Sequence, residues 1–541
     1  RGVGHVVGML ANASTRLRSR PSLAGGPQWR AMAASVAPAV ASLPSKPPSP
    51  SPAPHDPPRP KVLTKHSMSQ SLRKMEYAVR GDVVIRAEEI EQQLASGRGA
   101  ELPFDRITFT NIGNPQAVGQ RPLTFFRQVL ALCDLPPECG VDHPDATALF
   151  PRDAIERARE MRKAMGEGGM GAYSSTQGVR GFRDDVARFI SKRDGHVCDP
   201  GDIFLQNGAS SAIGKVLTTI VSGPDDSVLL PVPQYPIYSG LVSLLGAHQQ
   251  GYLLDESRDW AVTEEALQGA VDEARALGKD PRACVLINPG NPTGQVFSRA
   301  TLEGVVDFCV RERLVLLADE VYQENIYTGG EGFVSCRQVA LDKGATDLEL
   351  ISFHSTSKGL LGECGRRGGY MDLLHIDPYV RSQLFKLSSS SLCASLPGQA
   401  LTALMVRPPQ PGDESHPTYQ AEVAAIREGL ARKSRLLVDG LRSIPGFSCN
   451  DARGAMYAFP AVEMPRGAHE AAAQRGVTPD DLYALSLLES TGICVVPASG
   501  FGQAPGRTGF RTTFLPPEET LRAAVESMRA HHLRFCERYG G

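Results

Sequence analysis

The chain has 541 residues, 41% hydrophobic and 21% charged, enough for more than one domain around large apolar cores. Lys and Arg (57) nearly balance Asp and Glu (59), and the net charge of −2 argues against a nucleic-acid binder. No apolar run approaches the roughly 20 residues that span a bilayer, and the eleven cysteines form no C-x-x-C pair, which excludes a zinc framework and a disulfide scaffold.

Residues 1–55 carry six basic residues (Arg1, Arg16, Arg18, Arg20, Arg30 and Lys46) and no acidic one, leaving −8 for the rest. This Ala-, Ser- and Arg-rich leader ends in the Pro-rich stretch "SLPSKPPSPSPAPHDPPRP". Residues 1–60 therefore read as an organelle transit peptide and linker. The mitochondrion ranks ahead of the chloroplast, with the cytosol or peroxisome as the alternative if the leader is no address.

Next, "LRKMEYAVRGDVVIRAEEIEQQL" has helical spacing and leads into "ITFTNIGNPQ", a strand ending in a turn. Residues 61–120 are assigned to an N-terminal arm and part of a small domain. Residues 121–400 contain "SVLLPVPQYP", "ACVLINPGNPTG", "LVLLADEVY" and "LELISFHSTSK", short apolar runs alternating with helical stretches. That alternation predicts an α/β fold, a three-layer αβα large domain on a mostly parallel sheet covered on both faces. Such sheets bind ligands beyond the carboxyl ends of their strands, where each of these runs carries its unusual residues. Residues 401–541 mix long helices with short strands ("AMYAFPAV", "GICVVPA", "TGFRTTFL") and read as a smaller α+β domain.

Two glycine-rich stretches fail their context. "GEGGMG" (Gly166–Gly171) follows a helical run rather than a strand, and "GASSAIGKV" has five residues between its glycines and no hydroxyl after the lysine. Neither a dinucleotide fingerprint nor a nucleotide-triphosphate loop is supported.

The strand ends offer complementary groups. "NGASS" opens a helix whose free N–H groups suit a phosphate. Asp319 ends a buried run with no cation beside it in sequence, which calls for a cationic partner. Tyr235, between prolines, is a stacking platform, and Asn291 sits in the Pro/Gly turn "NPGNPTG". Lys358 follows the apolar run "LISF". Phosphate site, acid, aromatic and amine are what pyridoxal 5'-phosphate needs, with a lysine to hold it covalently and an acid to keep its ring nitrogen protonated.

"NPGNPTG", "ADEVYQENIY", "SFHSTSKGLLGECGRRGGY" and "GFRTTFLPP" resemble the aspartate-aminotransferase fold type of pyridoxal-phosphate enzymes, and specifically the alanine aminotransferase group. "YAVRG", "NIGNPQAVGQRPLTFFRQVLALC", "PVPQYPIYS" and "SGFGQ" extend the similarity over roughly residues 65–535. The resemblance implies that Lys358 holds the cofactor and shuttles the substrate proton. It implies that Asp319 pairs with the ring nitrogen, that Tyr322 and Asn291 bind the 3'-oxygen, and that Tyr235 stacks on the ring. Ala209, Ser210, Ser355 and Arg367 would hold the phosphate, joined by Tyr173 of the other subunit in a homodimer with shared sites. Arg511 would clamp the substrate α-carboxylate, and Gly113 would line the substrate side.

Of other polar residues, Ser357 reads as a turn or core hydroxyl, Lys215 as a mid-helix lysine, and His354 as a packing residue. Arg106, Arg121 and Arg127 read as surface or dimer-contact charges. The implied activity is a ping-pong transamination between L-alanine and 2-oxoglutarate, with small amino and 2-oxo acids as the only partners besides the second subunit. A glutamate–glyoxylate aminotransferase, or a non-transaminating lyase or synthase of the same fold, is the alternative.

Overall fold

The computed structural model describes residues 61, 63–75, 81–99, 101–327 and 332–540, so the leader over 1–60 lies outside it. The chain forms two units, Arg1–Ser67 and Met68–Gly541. In the first, the described residues include a turn in which the Thr64 N–H donates to the Ser67 hydroxyl (2.8 Å). All that follows concerns the second.

Its centre is a seven-stranded sheet. After a short strand β1 (Thr108–Phe109) come β2 (Ile203–Leu205), β3 (Asp226–Val232), β4 (His248–Leu253), β5 (Asp280–Ile287), β6 (Val315–Asp319), β7 (Leu350–Ser355) and β8 (Gly369–Leu374). The order across the sheet is β2-β8-β7-β6-β5-β3-β4. Every neighbouring pair from β7 to β4 is parallel, and β8 alone runs antiparallel to both its neighbours. The four apolar runs picked out by their sequence are β3, β5, β6 and β7. The edge strand β4 escapes that pattern because it alternates buried and exposed residues.

Burial on both faces follows the two-residue period of a strand. Val228, Leu230, Val285, Ile287 and Leu317 pack into one core with the helices Ala209–Ile220 and Ile237–Leu245. The intervening Leu229, Cys284, Leu286, Leu316 and Ala318 pack into another, with Glu264–Ala276, Arg299–Glu312 and Cys336–Asp342. The expected three-layer α/β fold is what forms.

Around the sheet lie short strands and long helices. β9 (Phe447–Ser448) pairs with β11 (Ala461–Val462), and β10 (Tyr457–Ala458) and β13 (Val496–Pro497) flank β14 (Phe510–Thr513). β1 runs parallel to β12 (Ile493–Cys494), which ties the N-terminal segment to the C-terminal one. Of the helix expected over 72–94, Gln70–Lys74 and Asp82–Ala95 are seen, and residues 76–80 lie outside the described set. Among the described residues no helix is long and apolar enough to cross a membrane.

Candidate active site

The topology brings one edge of the sheet together. β3, β5, β6 and β7 end side by side, with Ile287 beside Asp319 and Asp319 beside Phe353. Because β8 is antiparallel, its first residue, Gly369, pairs with the last residue of β7, Ser355. Arg367 therefore stands at the same edge as Lys358, and β2 delivers the helix Ala209–Ile220 there as well.

A cavity of about 620 Å³ opens at this edge. Lys358, Asp319, Asn291, Tyr235 and Tyr322 line it, from the strand ends. So do Ala209, Ser210, Ser355 and Arg367 at one end, and Gly113 and Arg511 at the other. Tyr173 does not: it is 78% exposed and outside the cavity of its own chain.

At one end the helix Ala209–Ile220 starts with no side-chain cap, so its first N–H groups stay available. Arg367 donates to the Ser210 hydroxyl (3.3 Å), the Ser357 hydroxyl (3.3 Å) and the Asn207 carbonyl (3.1 Å). Gly208 has φ +79°, and a side chain there would run into the Arg367 guanidinium. A cation, hydroxyls and a helix N-terminus with no acid among them form an anion cradle. The Ser355 hydroxyl is engaged locally, accepting from the Ser357 N–H (3.0 Å) and donating to the Gly368 carbonyl (3.3 Å). Ser357, read from the sequence as a turn or core hydroxyl, joins Ser210 in accepting from Arg367.

In the middle, Asp319 is buried and accepts from the Tyr238 hydroxyl (2.9 Å) and the Val321 N–H (3.4 Å). Burial pushes its carboxyl up to about 6, against those two hydrogen bonds and the Lys358 charge. A cation set against it would bring it down again. The Lys358 ammonium donates to the Gly113 carbonyl (2.7 Å).

At the far end, Arg511 is 1% exposed, and its guanidinium lies 4.1 Å from the Tyr457 ring centre and 4.6 Å from that of Phe501. It donates to the Asn291 amide oxygen (3.0 Å) and to the Asn111 carbonyl, while its Nε finds no partner. Among the described residues it forms no ion pair. A buried guanidinium so placed suits an incoming carboxylate.

Sequence reasoning missed Tyr238, Tyr457 and the part played by Arg127. Tyr457 sits within an apolar stretch and reads as core. Arg127 is no mere surface charge: it forks onto the buried Glu363 carboxylate (2.8 and 2.9 Å), fixing the turn that carries Arg367. His354 is a packing residue, edge-on to Tyr370 at 5.6 Å and kept neutral by burial, which lowers it to about 3. Lys215 donates to the Gln206 amide oxygen (2.8 Å) and does not line the cavity. No group of residues suited to a metal ion occurs among those described.

The buried acid yields a first prediction. Between about pH 4 and 6 the folded Asp319 still holds a proton that the unfolded chain has released. The cofactor-free chain therefore loses stability from this group as pH rises through that window, on the order of 3 kcal/mol in all. Thermal melts of Asp319→Asn minus wild type should gain from pH 4 to 6 and then level. A difference that is flat with pH overturns this.

Residues 142–528 match the family "aminotransferase class I and II". Human alanine aminotransferase 1 is 48% identical over 490 residues, covering 89% of this chain and 97% of its own. Glutamate–glyoxylate aminotransferase 1 of Arabidopsis thaliana is 43% identical over 482 residues, covering 88% and 98%. The structure of an alanine aminotransferase from Pyrococcus furiosus superposes with a TM-score of 0.66 at 22% identity, covering 86% of this chain and all of its own, and so shares the fold.

Proposed function

The chain belongs to the class I and II aminotransferases, and on that premise we propose that it moves an amino group between L-alanine and 2-oxoglutarate, giving pyruvate and L-glutamate. The observation that carries the reading is one cavity lined by a strand-end lysine, a buried acid that forms no ion pair among the described residues, an anion cradle and a buried guanidinium with an unpartnered N–H. We propose pyridoxal 5'-phosphate as the group it holds. The residues fit that group: Arg367, Ser210, Ser357 and the Ala209 end of the helix would take its phosphate, with Ser355 bracing Ser357. Asp319 would face the ring nitrogen, Tyr322 and Asn291 the 3'-oxygen, and Tyr235 the ring face. Bound there, it supplies the electron sink for the pair left when the substrate Cα loses its proton.

The chain's own groups do the rest. Arg511 and Asn291 fix the carboxylate and so the direction in which the Cα–H points. Lys358, as the neutral free amine, would take that proton and return it two bonds away, a transfer suited to a flexible amine at the cavity centre. The exposed Tyr173 supports a homodimer in which this tyrosine reaches the partner's phosphate site. The same reading assigns residues 121–400 to the cofactor domain, 61–120 and 401–541 to the smaller one, and 1–60 to a mitochondrial leader.

Because a 43% identical relative is a glutamate–glyoxylate aminotransferase, the substrate pair needs a direct test. We expect kcat/KM for alanine with 2-oxoglutarate to exceed that for glutamate with glyoxylate by about tenfold, the scale of one well-placed methylene or hydrogen bond. A preference of that size for glyoxylate would reverse the assignment, and no amino transfer from either donor would favour a lyase or synthase.

A further inference from the structure

Tyr457 is a cavity-lining residue that the proposed function leaves without a task, although it meets Gly113, Tyr322 and Arg511. It stands on β10 opposite Thr513 of β14, and Arg511 lies two residues back on the same face of the ribbon. Its ring therefore forms the floor beneath the Arg511 guanidinium, at 4.1 Å. Its hydroxyl accepts from the Gly113 N–H (3.2 Å) and from the Tyr322 hydroxyl (3.3 Å).

The Gly113 contact links to the rest. Residues 110–114 cross the cavity as a strap. Thr110 is pinned outside it, donating its N–H and its hydroxyl to the Cys494 carbonyl (3.0 and 2.8 Å). Over the cavity the strap touches four side chains: Asn111 offers its carbonyl to Arg511, Gly113 offers its carbonyl to Lys358 and, weakly at 3.8 Å, to the Cys364 thiol, and Gly113 gives its N–H to Tyr457. The Lys358 bond is surrendered once the amine takes up other work. The Tyr457 bond is then the stronger side-chain hold left on the middle of the strap, the other being the long thiol contact of Cys364. A Cβ at position 113 would overlap the Tyr457 hydroxyl, so the approach is possible only with glycine there. The ammonium of Lys358 and the guanidinium of Arg511 both face this hydroxyl. Burial alone would raise the phenol, but those two charges and the two hydrogen bonds it accepts outweigh it and lower it.

We propose that Tyr457 is a positioning residue for the carboxylate clamp: its hydroxyl latches the 110–114 strap, and the latched strap holds Arg511 at the angle a substrate carboxylate needs. This rests on the functional reading above. Arg511 spends two of its five N–H donors on Asn291 and Asn111, which fixes its plane and leaves three for the carboxylate. Losing the latch frees Asn111 and lets that plane rotate. The effect falls on carboxylate binding rather than on proton transfer.

The test is Tyr457→Phe in the loaded enzyme, which keeps the ring under Arg511 and removes only the hydroxyl. Amide hydrogen exchange over residues 110–114 should accelerate, with the rest of the chain unchanged. KM for alanine should rise about threefold to tenfold, the worth of one buried hydrogen bond, with kcat within about twofold of wild type. The single-turnover reaction with ethylamine, which is alanine without its carboxylate, should keep its wild-type rate. Adding Tyr457→Phe to Arg511→Leu should cost nothing further. Unchanged exchange in the strap overturns the latch, and an equal slowing of ethylamine and alanine overturns action through Arg511. A wild type that fails to transaminate alanine would instead refute the functional reading, and the exchange experiment would still decide the strap.

Discussion

Lys358→Ala is expected to lower kcat by about 10⁴-fold, because in the function proposed above it removes both the covalent hold on the cofactor and the base that moves the substrate proton. The strand-end position makes the loss specific. Lys358 lies three residues past the end of β7, and its amine reaches across the cavity to the Gly113 carbonyl. Lys215→Ala is the control, since that lysine is spent on Gln206 outside the cavity and its loss should leave kcat unchanged. Borohydride treatment of the loaded protein should add mass to the peptide carrying Lys358 and to no other. Label on another lysine, or a Lys358→Ala enzyme with near-normal turnover, would dismantle the assignment.

Arg511→Leu should reduce kcat/KM for alanine and for 2-oxoglutarate alike by about 10²- to 10³-fold, mostly through KM, as expected when a buried carboxylate loses its forked partner. Arg511→Lys should recover little of this, because an ammonium cannot supply two parallel N–H bonds. The stability of the substrate-free protein should move the other way. Arg511 is buried with an unpartnered Nε and no ion pair among the described residues, so a leucine removes an unpaid desolvation cost and the melting temperature should hold or rise. A variant that melts early while binding substrate normally would show that Arg511 serves the fold and not the carboxylate.

How much of this was legible in advance depended on whether a residue's signal was local. Asp319 could be found because an acid closing the run "LVLLA" is out of place unless something offsets its burial. Asn291 stood in a turn dense with Pro and Gly, and Lys358 in the short polar stretch that follows an apolar run. The parallel sheet was legible for the same reason, since strands buried on both faces are uninterrupted apolar runs. Choosing Arg367 over its neighbour Arg366 needed the family resemblance. The structure adds why the two differ: Arg367 takes a left-handed backbone (φ 54°) that ends the Cys364–Arg366 turn and swings its side chain onto Ser210 and Ser357.

What stayed hidden is non-local. Tyr457 lies 344 residues from Gly113 and 135 from Tyr322, and the tyrosine of "AMYAFP" is indistinguishable in sequence from a core aromatic. Tyr238 meets Asp319 from 81 residues away, and Arg127 meets Glu363 from 236. Each of these is a hydrogen bond between segments that no periodicity relates. By itself the sequence determined the layered α/β fold and marked Asp319, Asn291, Tyr235 and Lys358 at its strand ends, because hydrophobic period, turn residues and a misplaced acid are properties of short windows; the other candidate groups came from the family resemblance. Only the tertiary structure decided how those groups are held, namely the antiparallel β8 that turns Arg367 inward, the fork that anchors it and the strap latched by Tyr457, because strand order and register are set by packing over the whole chain.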